Sequence, residues 1–185
     1  MASRAFDEFV QREQESAKRS EGVADDWEVE RKEWLRRLEE LFAQVSEYLR
    51  EYVDAGQITV SYRNIELNEE YVGPYTARAM AIAIGSKTIV LEPIGTFLVG
   101  SKGRVDVVGP VARGRLMLVD SEMKSLSQLL HVSVGINAEL PTLRPAKSPS
   151  DIRWVWRIVP RPPGREVVEI NKDTFLSLLL EIANG

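Results

Sequence analysis

Several chemistries are closed to this chain before any motif is considered. Its 185 residues include no cysteine, which excludes thiolate catalysis, cysteine-ligated zinc or iron–sulfur sites and a disulfide framework. There is a single histidine. It is His131, in an apolar stretch without a motif, so a serine–histidine triad or a histidine-rich metal site would have to be built on it alone. No apolar run approaches the roughly 20 residues that span a bilayer. The first twenty residues, "MASRAFDEFVQREQESAKRS", lack the apolar core of a secretion signal. The expected location is the cytoplasm, with no membrane partner. The sequence calls for no cofactor and no metal.

What is present reads as an ordinary globular protein, with 44% hydrophobic and 28% charged residues. A domain of this size buries enough surface to fold without staples. Charge is unevenly placed. Residues 1–56 carry 9 Lys/Arg against 15 Asp/Glu, whereas 144–165 carry Arg144, Lys147, Arg153, Arg157, Arg161 and Arg165 against Asp151 alone. Two such regions attract each other within one chain or between two.

Periodicity divides the chain. Residues 1–25 are polar apart from Phe6, Phe9 and Val10 and read as an arm or weak helix, with 26–185 as a single α+β domain. Asp25 and Asp26 are N-cap residue types, and Trp27, Trp34, Leu38, Leu41, Val45, Tyr48 and Tyr52 then recur at three- and four-residue steps. That predicts a long amphipathic helix ending near Gly56, lying across a sheet. From 57 to 120 the period falls to two. "YTARAMAIAI" puts Tyr75, Ala77, Ala79, Ala81 and Ala83 on one face and Met80, Ile82 and Ile84 on the other, and an alanine face admits a close neighbour. Strands follow at "KTIVLE", "TFLVG", "GRVDVV", "RLMLV", "HVSVGI", "RWVWRIV" and "EVVEI". Connections this short demand antiparallel neighbours. "SEMKSLSQLL" predicts a short helix, 138–152 a surface loop, and "NKDTFLSLLLEIA" a capped terminal helix, apolar nearly all round and so buried on more than one side. The expected fold is α+β: a long N-terminal helix and a C-terminal helix packed on a curved, mostly antiparallel sheet of about 6–9 short strands.

Three stretches carry possible chemistry. "GTFLVGSKG" and "AIGSKTIV" approach a phosphate loop, but strands rather than helices follow, so no helix N-terminus is available for an anion; both read as hairpin turns. "IRWVWRIVPRPPGR" interleaves cations with aromatics, an arrangement that stacks bases and holds phosphates. It makes Arg153, Trp154, Trp156, Arg157, Arg161 and Arg165 a candidate binding patch, although strand alternation turns both tryptophans into the core. "GRVDVVGPVARGRLMLVDSEMK" resembles the sheet hairpin of metal-dependent PD-(D/E)xK nucleases. The resemblance implies Asp106, Glu122 and Lys124 as catalytic residues around a divalent cation. If 109–114 is the connection, however, Val108 pairs with Arg115 and Asp106 with Met117. Asp120 then falls on the opposite face, roughly 10 Å along. The simpler expectation is a diagonal pair of Asp106 with Arg115 across the strands, with Arg104 beside it on its own strand and Asp120 and Ser121 starting the next helix.

The leading expectation is a non-catalytic binding or protein-interaction accessory protein, homodimeric, with Phe6, Phe9, Trp27 and Trp34 as interface candidates. A nucleic-acid partner is the less favoured one. The alternatives are the nuclease and a curved sheet that binds a small ligand.

Overall fold

The computed structural model describes the backbone of residues 2–70, 72–96, 101–125, 152–160, 164 and 166–184, with side chains from Trp27 onward. Helix α1 runs as one 53-residue element, Ala2–Asp54. The cap expected at Asp25–Asp26 is therefore corrected: both residues lie inside the helix. A capping side chain ends a helix only where the preceding backbone leaves helical geometry, and here it does not. The far end follows expectation. Gly56 takes φ 70°, Gln57 N–H donates to the Tyr52 carbonyl at 2.9 Å, and Gly56 N–H donates to the Val53 carbonyl at 2.9 Å. This double bond pattern closes a helix around a left-handed residue.

Seven strands follow: β1 (Ile58–Glu69), β2 (Gly73–Ile84), β3 (Lys87–Gly95), β4 (Gly103–Val108), β5 (Arg113–Asp120), β6 (Trp154–Val159) and β7 (Val168–Glu169). They form one sheet in sequence order, every neighbouring pair antiparallel. The chain closes with helix α2, Lys172–Asn184. The α+β fold with both helices against an antiparallel sheet is thus as the sequence predicts. Trp34, Leu38, Leu41, Phe42, Val45 and Leu49 of α1 share one core with Ile82, Leu91, Val105, Val107, Leu116, Leu118 and Trp156 of the sheet and with Phe175, Leu179 and Ile182 of α2. Each fully buried side chain of this size contributes about 1.5–3 kcal/mol, so the helix stripe is consumed by its own sheet.

Helix α2 begins with a reciprocal cap. Thr174 N–H donates to Asn171 Oδ1 at 3.0 Å, and Asn171 N–H donates to Thr174 Oγ1 at 2.9 Å, which satisfies two groups a helix start leaves open. The expectation of burial on more than one side is corrected: Phe175, Leu178, Leu179, Ile182 and Ala183 are covered, while Leu180 stays exposed, because one face of the helix meets the core.

Two expectations within the sheet change. First, the inward face of the β1–β2 hairpin changes parity midway. Met80 and Ile82 are in the core, but so are Tyr75 and Ala77, with Ile65 and Leu67 packed beside them. Strand β3 pairs with β2 only over Met80–Ile84. The inner half is therefore held flat in the sheet, while the outer half rolls onto α1. The helices take the Met80–Ile82 side, so Ala81 and Ala83 are left on the other face.

Second, the β4–β5 connection is 109–112, two residues shorter than the sequence suggested. Val108 pairs with Arg113, Val107 with Gly114 and Asp106 with Arg115. Gly114 reads as a turn residue, yet it occupies a strand position because α2 lies against it. A β-carbon there would stand 2.8 Å from Leu178 Cδ1 and 2.9 Å from Ile182 Cδ1.

The short helix expected from Asp120–Ser121 is also corrected over its described part. Asp120 Oδ1 accepts from Glu122 N–H at 3.0 Å and the Asp120 carbonyl from Met123 N–H at 2.9 Å. This is a side-chain-closed turn. The chain then extends, with Ser125 bridging Glu166 and Val167 N–H donating to the Lys124 carbonyl at 3.1 Å. A cross-strand partner holds the backbone that local pattern assigned to a helix. His131, "HVSVGI" and the 138–151 part of the expected loop lie outside the described residues.

Candidate functional surface on the open face of the sheet

The hairpin residues that resembled a nuclease do not converge. Asp106 is held by Arg104, whose Nε and Nη2 donate to its two carboxylate oxygens at 2.6 and 2.8 Å. Direct pairing sets Arg115 opposite Asp106. Extending the same register places Asp120 opposite position 101, five residues along from Asp106, roughly 17 Å at strand spacing. Glu122 and Lys124 lie past the end of β5. Among the described residues no group of three or more His, Asp or Glu is placed to hold a metal ion.

The tryptophan–arginine patch is divided by strand alternation. Trp156 is in the core, with its ring centroid 6.0 Å from that of Trp34, and its Nε1–H donates to the Arg37 carbonyl at 3.3 Å. Trp154 is half-buried, with the Lys102 ammonium 5.5 Å from its ring centroid. Neither arrangement leaves a paired stacking platform. Arg153 is exposed and Arg157 half-buried, and Arg157 donates to Glu169 at 3.1 Å. Arg161 and Arg165 lie outside the described residues.

Of the interface candidates, Trp34 is 1% exposed and Trp27 half-buried. The side chains of Phe6 and Phe9 are outside the described set. The acidic helix also finds basic partners in its own chain: Arg78 with Glu39, Lys102 with Glu30 and Lys172 with Glu51. Lys87, part of one phosphate-loop near-match, instead donates to the Ala183 carbonyl and to Asn184 Oδ1, each at 2.7 Å. It closes the C-terminal end of α2, where a cation meets the negative end of the helix dipole.

What the sequence did not single out is the sheet face turned away from the helices. Side chains alternate along a strand, so burial of Ile82, Ile89, Leu91, Val105, Val107, Leu116 and Leu118 against the helices leaves their neighbours outward. One outward row crosses Ser61, Ala81, Val90, Val108 and Arg113. The next runs Glu92, Asp106, Arg115 and Val159. Arg63 reaches Glu92 at 3.6 Å and Arg157 reaches Glu169 at 3.1 Å, so Glu92, Asp106 and Glu169 on this face each have an arginine. Ala81, Val90 and Val108 are half-buried. Toward β5 and β6, Met117, Val119 and Val159 form a small second cluster with Met123 against it. Among the described residues no helix lies on this face. Two long alternating runs signalled it, but which run would face outward depended on where α1 and α2 docked.

At the end of the sheet, Ser121, Met123, Lys124, Arg157, Glu166 and Val167 line an open cleft of about 240 Å³. That is smaller than the roughly 300 Å³ at which ligand pockets begin, and it mixes both signs of charge.

No protein-family model matches this chain, and neither the curated proteins nor the solved structures include one that matches it. No helix among the described residues is long and apolar enough to cross a membrane.

Proposed function

We propose that this chain is a non-catalytic binding protein that acts by protein–protein contact, and that it forms a homodimer through the open face of its sheet. The observation supporting this reading is the character of that face. Ala81, Val90, Val108 and Ser61 give a shallow surface of small side chains, and sheets stack face to face about 10 Å apart when side chains allow it. Its carboxylates, Glu92, Asp106 and Glu169, carry arginine partners within the chain. Burial there leaves no carboxylate orphaned, the condition under which a charged pair can enter an interface at tolerable cost.

Size-exclusion chromatography with light scattering tests it at micromolar concentration. The expected mass is twice the 20.9 kDa of the chain, falling to the single-chain mass in Val90→Arg with an unchanged circular dichroism spectrum. A wild-type monomer removes the homodimer. A dimer indifferent to Val90→Arg removes this face as its interface.

A further inference from the structure

The outer half of the β1–β2 hairpin is attached to the protein in an unusual way. Its two arms, Arg63–Glu69 and Gly73–Ala79, pair with each other throughout. Beyond Met80, β2 loses its second neighbour, because β3 pairs with it only from Leu91 back to Lys87. Strand β3 itself continues to Gly95 alongside β4, with a register shift between Pro93 and Gly95. Among the described residues, the backbone of the outer half thus pairs only within itself, and side chains make its ties to the rest of the protein.

Ile65, Leu67, Tyr75 and Ala77 pack on the core, and specific polar ties add to them. At the base, Arg63 meets Glu92 at 3.6 Å. Midway, Arg78 pairs with Glu39 on α1 and lies 4.7 Å from the Tyr62 ring centroid. At the tip, the Glu69 carboxylate accepts from the Thr96 backbone N–H at 2.8 Å and from Thr96 Oγ1 at 2.9 Å. The hydroxyl of Tyr75, within the same hairpin, also donates to Glu69 and orients it. Gly95 makes room for this contact: a β-carbon there would fall 2.7 Å from the Glu69 carboxyl carbon. Beneath lies Trp34, buried beside Tyr75 of the hairpin.

We infer that this half-hairpin is a strap that opens from α1 as a cooperative unit, without unfolding the sheet, and that Glu69 on Thr96 is its latch. Opening uncovers an apolar layer centred on Trp34 and leaves the β3–β6 meander and α2 intact. The inference does not rest on the homodimer reading, because the Glu69–Thr96 latch and the contact with α1 do not involve Ala81, Val90 or Val108.

Hydrogen exchange of the full chain, read by mass spectrometry, tests it. In the wild type, amides of 64–68 and 75–79 should exchange faster than those of 58–61 and 80–84 on the same two strands. In Glu69→Ala the outer set should speed up by about tenfold or more, as expected for loss of two hydrogen bonds to a charged group, with β4 and β5 unchanged. Glu66→Ala, which removes a carboxylate bonded to Thr76 inside the hairpin, should leave the outer set within about twofold. Uniform exchange along the wild-type hairpin overturns the strap, and this comparison requires no variant to fold. Equal acceleration of the outer set and of β4 and β5 in Glu69→Ala overturns the latch.

Discussion

Trp34 occupies the space where Gly103 would carry a side chain. A β-carbon on Gly103 would stand 2.1 Å from Cζ3 of the indole and 2.5 Å from Cε3, so the ring of α1 rests on bare backbone of β4. Overpacking a closed core costs about 1–3 kcal/mol. Gly103→Ala should lower stability by at least that much in urea unfolding. In a Trp34→Leu background the same alanine should cost close to nothing, and the difference between the two backgrounds measures the contact itself.

Asn171 caps α2 through Thr174, and the helix it starts carries Phe175 and Ile182 into the core. Asn171→Ala should therefore cost about 1 kcal/mol, with Asn171→Ser recovering most of it. A shift of the urea midpoint at constant slope would register both.

Lys87 closes the other end of α2 by donating to the Ala183 carbonyl and Asn184 Oδ1. Lys87→Met keeps the apolar stem and removes the donors. Its expected cost is about 0.5–1.5 kcal/mol, visible as a lowered melting temperature. Equal stability would mean that water replaces the ammonium without loss.

Arg36 foremost, with Arg37 beside it, holds the Glu33 carboxyl down at about 2. The folded value lies below the unfolded one near 4.5. The pair's contribution is therefore complete above about pH 4.5 and disappears as pH falls toward 2. The site is substantially exposed, so the effect should be small and sensitive to salt. The gap in melting temperature between wild type and Glu33→Gln should narrow steadily from pH 5 to pH 2. A gap independent of pH would contradict the pairing.

Tyr75 should not titrate with the exposed phenols. Burial first, and then the adjacent Glu69 carboxylate, push its hydroxyl well above the ordinary tyrosine range. Ultraviolet titration should show Tyr75 ionising only as the protein unfolds in base, whereas a Tyr75→Phe variant should leave the lower-pH phenol step unchanged in amplitude.

The elements were legible in the residues to an uneven degree. Trp34, Leu38, Leu41, Val45 and Leu49 repeat at helical spacing and are buried as that spacing implies. Gly56 ends the helix because a left-handed residue there closes it locally. Gly114 was misread because a turn and a close approach by Leu178 call for the same residue. Asp106 is held by Arg104, where the pattern gives Arg115 as its diagonal partner; a residue two positions away on a strand shares its face, and the shifted register sets Arg115 directly opposite.

Local pattern was therefore sufficient for the α+β class, the long stripe of α1, the antiparallel order of short-linked strands and the cap of α2, because each depends on residues a few positions apart. It also denied the chain cysteine chemistry outright. Three matters were settled only by packing at long range. The helices docked on the Met80–Ile82 side and left Ala81, Val90 and Val108 outward. The β1–β2 hairpin rolled over where β3 stopped supporting it. Trp34 and Trp156, each turned inward by the pattern of its own element, met each other in the core. Period two divides a strand into two faces without saying which one is buried. That choice follows from the fit of whole elements, down to the absent side chain of Gly103 beneath Trp34.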